Sequence, residues 1–207
     1  PVEARDVGVK IADALADAHA LGVLHRDVKP ANILITRFGE PALADFGLAI
    51  LAETRDSSVT LDVLTPAYAP PELFRHSSPA PANDVYALCA TLYAVIRGRP
   101  ARWREDRDPT LVTLMDLFDE PVPDLPGVPP ALVGILRAGM SNDPGVRPTA
   151  ERLRDLLAAV PLPPDGQPSG SVRPPVPPTP AEPPTVPTHR PPWTMFRRGP
   201  RRGGSAQ

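Results

Sequence analysis

Between Asp84 and Arg97 the chain reads DVYALCATLYAVIR, apolar on nearly every face, and it stops at Gly98. A surface helix carries one apolar stripe, whereas a helix that is apolar all round has to lie inside the protein. Glycine is a natural stop because it accepts the left-handed backbone of a helix C-terminus. The segment therefore predicts a central buried helix, and the rest of the folded chain has to wrap around it.

The candidates for wrapping are visible. From Glu3 to Leu21 the apolar positions Val7, Ile11, Leu15, Ala18 and Leu21 recur at intervals of three and four, predicting a half-buried helix that ends at Gly22. Pro130 to Met140 and Thr149 to Val160 predict two more, the second with Thr149 as N-cap and Leu153, Leu156, Leu157 and Val160 as its stripe. Asn32 to Ile35 and Pro41 to Ala44, joined by a polar turn containing Gly39, read as a short hairpin. The stretch between Gly98 and Pro130, with its prolines and acids, reads as irregular, and Glu53 to Thr65 as a long exposed loop. The expected fold class is α+β, mostly α.

Prolines set the domain boundary. Of 32 in 207 residues, roughly half fall after Val160. Residues 1–160 then form the one globular domain, for which 42% hydrophobic content suffices, and 161–207 form a disordered proline-rich linker or tail. Its PPVPPTP stretch could serve a polyproline-binding partner, with a plain linker as the default. The basic end, WTMFRRGPRR, carrying Arg197, Arg198, Arg201 and Arg202, reads as solvated rather than as a lipid or nucleic-acid contact. A formal charge of -2 argues against nucleic acid as a partner. The single cysteine, Cys89, makes no internal disulfide, suits a reducing compartment and reads as a buried small hydrophobe. No apolar run approaches the length of about 18 residues that a membrane helix requires, no signal-peptide layout opens the chain, and the expected location is cytoplasmic. His19, His76 and His189 lack metal-ligand spacing and read as surface or helix-packing residues.

Chemistry concentrates on either side of the hairpin. Residues 25–32 read HRDVKPAN, and the stretch LADFGLA brings Asp45, Phe46 and Gly47 shortly after. Phosphoryl transfer asks a protein for positioning and charge stabilisation: a carboxylate for the acceptor's proton, a cation for the moving phosphoryl, and hard oxygens for magnesium. Asp27, Lys29, Asn32 and Asp45 are groups of those kinds.

HRDVKPAN followed by DFG resembles the catalytic loop and metal-binding triplet of the protein kinases. Further on, TPAYAPPE (65–72) resembles the end of a kinase activation segment, NDVYALC the start of the central helix, and DPGVRPTA, with Arg147, the family's last conserved loop. Six fixed letters in one octet, followed by these elements in the family's order, make a chance match remote. The alanine- and arginine-rich style and the proline-rich tail are similar to the bacterial, Hanks-type serine/threonine branch.

The resemblance implies an enzyme using ATP and Mg²⁺ to phosphorylate Ser or Thr of protein substrates, with roles carried over residue by residue. Asp27 would be the catalytic base, and Lys29, also on the nucleotide side, would neutralise the transferred phosphoryl. Asn32 and Asp45 would hold the metal. Thr65 would contact Asp27 and Lys29 and help select the acceptor. Arg26 would meet a phosphate on the loop, for which Thr54, Ser57, Ser58 and Thr60 are candidate sites. Asp84 would brace the catalytic loop, and Glu72 would pair with Arg147.

Departures from the family pattern are Pro70 for the alanine of Ala-Pro-Glu, Leu64 for the glycine before Thr65, and Cys89 at a usual glycine position. The resemblance begins just before the catalytic loop, so the expected fold is a kinase-like C-terminal lobe with the N-terminal lobe absent. The glycine-rich loop and phosphate-binding lysine belong to that other lobe, and the chain as written is expected to be incomplete or inactive. The alternative is a non-catalytic kinase-like module that binds partners through its helical lobe and proline-rich tail. A lobe without its cover is expected to expose apolar surface on its upper face and to self-associate, which sedimentation of the 207-residue chain checks; a monodisperse monomer would count against it.

Overall fold

A computed structural model describes residues 1–46, 66–75, 77–102 and 111–162 of the chain. Its first element, α1 (Val2–Ala20), buries Ala4, Gly8, Ile11, Ala12, Leu15 and Ala16. The buried face is thus built more from small residues than the apolar count predicts, with Val7 only partly buried and Leu21 81% exposed. The reason lies in the helix end. Gly22 takes a φ of 74°, and the amides of Gly22 and Val23 bond back to the carbonyls of His19 and Ala18, so Leu21 already faces outward.

A single 3-10 turn (Pro30–Asn32) leads into β1 (Ile33–Ile35), which pairs antiparallel with β2 (Pro41–Leu43) in the register Ile33 with Leu43 and Ile35 with Pro41. Gly39 at φ 79° closes the turn, and Thr36 holds it from both sides, accepting the Gly39 amide on its carbonyl and the Glu40 amide on its hydroxyl. Lys10 of α1 pairs with Glu40, tying the hairpin to the helix. Leu34, Ile35 and Phe38 are left exposed on the hairpin.

The helix α2 (Pro81–Arg97) is the predicted central element, and its residues 83–94 are buried without interruption. Pro81 stands in its first turn, where a missing N–H costs nothing, and Asn83 reaches back to accept the Ala80 amide. Around it lie α3 (Leu111–Asp119), α4 (Pro130–Gly139) and α5 (Ala150–Ala158), with α1 packed against both α2 and α5. Thr149 does cap α5, its hydroxyl accepting the Arg152 amide. The core runs continuously through Ile11, Leu15, Leu88, Tyr93, Leu132, Leu136, Leu153 and Leu157. The mostly α reading holds. Helix α3 corrects the reading of its region as irregular: Leu111, Leu114, Met115 and Phe118 recur at helical spacing, and the prolines stand outside it. The proline-rich tail lies outside the described residues.

Two glycines allow the close approach of helices. A Cβ on Gly8 would stand 2.7 Å from a methyl of Leu92, and one on Gly139 would stand 2.2 Å from the Cys89 sulfur and 3.0 Å from its Cβ. Cys89 is fully buried, as read from sequence, and burial pushes its thiol up to about 12. Gly139→Ala is therefore expected to lower unfolding free energy by about 1–3 kcal/mol in urea titration, the usual range for overpacking. Adding Cys89→Ala removes the sulfur but leaves the Cβ at 3.0 Å, so the double variant should recover part of that loss.

Candidate active site

The HRDVKPAN loop leaves α1 and is gripped by α2 at three points. Asp84, whose side chain is 1% exposed, accepts the His25 amide on Oδ2 at 2.9 Å and the Arg26 amide on Oδ1 at 2.8 Å. Two turns on, the Thr91 hydroxyl donates to the Val28 carbonyl at 3.4 Å. The grip matters because Arg26 sits at φ 68°, a left-handed conformation that costs a non-glycine residue about 1–3 kcal/mol and persists only where its surroundings impose it. The two bonded amides fix the backbone that enters that turn, and the Asp27 amide that leaves it bonds His25 Nδ1.

Past this turn the loop presents Asp27. Its carboxylate meets Lys29 Nζ at 2.7 Å and accepts from Asn32 Nδ2 at 3.0 Å, while the same amide nitrogen donates to the Asp27 carbonyl at 2.8 Å. With both Nδ2 hydrogens committed, the amide oxygen is what Asn32 can offer a cation. Asp27 and Lys29 are each about a quarter exposed, and Asn32 is buried beneath them. A shallow pocket beside Asp27 is walled on its other side by Tyr68, Pro70 and Leu73.

His25 joins this loop to the second motif. Its Nδ1 accepts the Asp27 amide at 3.3 Å, so Nε2 carries the hydrogen and donates to the Ala44 carbonyl at 2.8 Å. The Ala44 amide in turn bonds the Asn32 carbonyl at 2.8 Å, and Phe46 packs edge-on against the imidazole at a centroid distance of 4.6 Å. Asp45, between Ala44 and Phe46, is exposed and takes φ 64°, a conformation aspartate tolerates better than most residues. The structure thus brings Asp27, Lys29, Asn32 and the Asp45 backbone to one end of the hairpin.

The donor set suits magnesium. Asn32 and Asp45 offer hard oxygens, and Mg²⁺ usually takes only one or two carboxylates from protein, filling the rest from water and phosphate. Among the described residues no three His, Cys, Asp or Glu side chains converge into a cage that would favour a different, fully protein-bound metal.

A model of the protein kinase domain matches residues 1–156. The chain belongs to the protein kinase family. The serine/threonine-protein kinase PknK of Mycobacterium tuberculosis is 38% identical over 161 residues, covering 74% of this chain and 14% of the relative. PknH of Mycobacterium bovis is 40% identical over 149 residues, covering 70% and 24%, and PkaB of Streptomyces coelicolor 38% over 170 residues, covering 76% and 40%. The chain spans well under half the length of each of these three relatives.

In this kinase domain the remaining paired residues lie behind the loop. Arg147 is fully buried and bonds both oxygens of Glu72, at 2.6 and 2.9 Å. Its Nε donates to the Ser141 carbonyl, the nitrogen that meets the nearer Glu72 oxygen also donates to the Ala82 carbonyl, and its plane lies 5.0 Å over the Tyr86 ring. Asn83 donates to the same Glu72 oxygen as NH1 of Arg147, at 2.7 Å. Burial raises the Tyr86 phenol above its ordinary value, with Arg102 and Arg147 pulling the other way. Thr54, Ser57, Ser58, Thr60 and Thr65 lie outside the described residues, as do Leu64, His76 and His189.

Sequence reasoning gave no role to His25 or Thr91. Thr91 had a signal, being a polar residue inside a helix that is otherwise apolar all round. His19, read as a surface or helix-packing residue, lies between α1 and α2 with its Nε2 2.9 Å from Asp84 Oδ2.

Removing one partner of a buried ion pair strands the other charge. Arg147→Met is expected to lower unfolding free energy by about 3–5 kcal/mol in denaturant titration. Glu72→Met combined with Arg147→Met should lose less than the sum of the two single changes, since no unpaired charge then remains.

Proposed function

We propose that residues 1–160 form the C-terminal lobe of a serine/threonine protein kinase domain that transfers a phosphoryl group from ATP to Ser or Thr hydroxyls of protein substrates. The observation that carries this reading is the Asp27 carboxylate, held between Lys29 and Asn32 on a backbone pinned by Asp84. A base must be fixed within hydrogen-bond reach of the acceptor hydroxyl, and this one is fixed while still open to solvent.

In this mechanism Asp27 accepts the proton of the acceptor hydroxyl as that oxygen attacks. Lys29, already beside the carboxylate, offsets the negative charge spread over the phosphoryl oxygens, and its effect grows as substrate excludes water. Asn32 and Asp45 would hold magnesium, which when bound neutralises phosphate charge and orients the phosphates. Asn32 has a second task, because its amide hydrogens keep Asp27 aimed. Tyr68, Pro70 and Leu73 stand beside Asp27 around a small pocket, so the acceptor polypeptide is assigned to the 66–73 side of the base. Thr65, just before that segment, is assigned to acceptor selection, and the hydroxyls of Thr54, Ser57, Ser58 and Thr60 to regulatory phosphorylation read by Arg26. Glu72 and Arg147 hold the segment against the lobe.

The test is phosphotransfer from labelled ATP with Mg²⁺, to the chain itself and to a generic basic protein, with Asp27→Asn as control. Label transfer should fall by about 10²–10⁴-fold in the variant, the usual span for loss of general base catalysis. Equal transfer by both proteins would remove Asp27 from its role. No transfer by folded wild-type chain would favour the interaction module instead.

A further inference from the structure

We propose that Pro70 is a positioning residue for the acceptor side of the site, acting by making residues 69–71 a stiff bar between Glu72 and the wall beside Asp27. The inference rests on the proposed phosphoryl transfer only for its effect on the acceptor's KM. The kinase pattern places alanine here, in Ala-Pro-Glu, so the ring of Pro70 is a feature of this chain. Proline holds its own φ at about −65° and turns the residue before it away from helical angles. With Pro70 and Pro71 consecutive, both constraints fall on residue 70, while Ala69 and Pro71 take one each. An alanine at 70 would keep only the restriction that Pro71 imposes on it.

The bar is fixed at one end and used at the other. Glu72 is gripped through both oxygens by Arg147 and through one of them by Asn83, so α2 and the loop before α5 set its place. The Leu73 amide closes a turn onto the Pro70 carbonyl at 3.2 Å, with Pro71 as the turn's second residue, where proline is favoured. At the other end Pro70 lines the small pocket beside Asp27 together with Tyr68 and Leu73, and the Ala69 amide bonds the Pro66 carbonyl at 3.4 Å. Ala69, Pro70 and Pro71 are all buried. A buried N–H has to find an acceptor, and proline brings none to satisfy. Stiffness thus carries the fixed position of Glu72 to the wall that an acceptor polypeptide would meet.

Amide hydrogen exchange of the full chain, read residue by residue, tests the stiffness without catalysis. Pro70→Ala should speed exchange at Ala69 and Leu73 about two- to fivefold, the usual worth of a proline at a compatible position. The Leu88 and Leu92 amides of α2 should not change. Pro70→Val keeps the bulk without the ring and should behave like Pro70→Ala. With a generic basic protein as acceptor, KM for that protein should rise about two- to fivefold in both variants while kcat and KM for ATP hold. Wild-type exchange in Pro70→Val would make Pro70 a packing residue and overturn the proposal. So would faster exchange with an unchanged acceptor KM, which would confine the ring to stability. Should wild type transfer no phosphate, the proposed reaction fails by itself, and the exchange comparison, with the Kd of the same basic protein in place of KM, still decides the role of Pro70.

Discussion

The site depends on one carboxylate. Asp84 is almost wholly out of water, and it bonds the two consecutive amides that lead into a backbone angle that arginine would not adopt unaided. Without that grip the turn at Arg26 would relax, and Asp27, the next residue, would change direction. The grip works because Asp84 belongs to α2, a helix buried on all sides from residue 83 to residue 94 and so unable to rotate or shift without disturbing the whole core. The most apolar element of the chain and its most polar loop are therefore one mechanical unit.

Helix α2 divides its polar residues between two tasks. Asp84 and Thr91, two turns apart, face the HRDVKPAN loop, while the neighbouring Asn83 turns to Glu72. Through Glu72 the same helix start meets Arg147, so the 66–75 segment, α2 and the loop before α5 share one buried polar cluster. Such a cluster is costly when half satisfied and rigid when complete. Here the guanidinium reaches four acceptors, which explains how a full positive charge is tolerated at zero exposure.

Much of this was legible in the sequence for local reasons. The all-round apolar run from 84 to 97 demanded burial, the turn around Gly39 demanded a hairpin, and HRDVKPAN with DFG placed four chemical groups near each other. Helix α3 was hidden because composition was weighed over its whole surroundings, where prolines and acids dominate, and not over its own nine residues. The buried face of α1 was misjudged for a different reason. Counting large apolar residues points to Leu21, whereas close packing against α2 and α5 selects small ones, and Gly8 is the clearest case. The left-handed angles at Arg26 and Asp45 had no local signal at all. They are imposed by partners more than fifty residues away or, for Asp45, by the bonds of Ala44 on either side of the strand end.

The two imidazoles show how little residue type alone decides. His25 lies within the motif and His19 six residues before it, both in or near the boundary between core and surface. Each uses Nε2–H to fix a neighbour on another element, His25 the carbonyl before Asp45 and His19 the carboxylate beneath Arg26. His25 joins the loop to the residue suited to hold metal, and His19 joins Asp84 to α1. The catalytic loop is thereby held from α2 and from the end of β2, so its position is set by elements that packing and hydrogen bonds already lock.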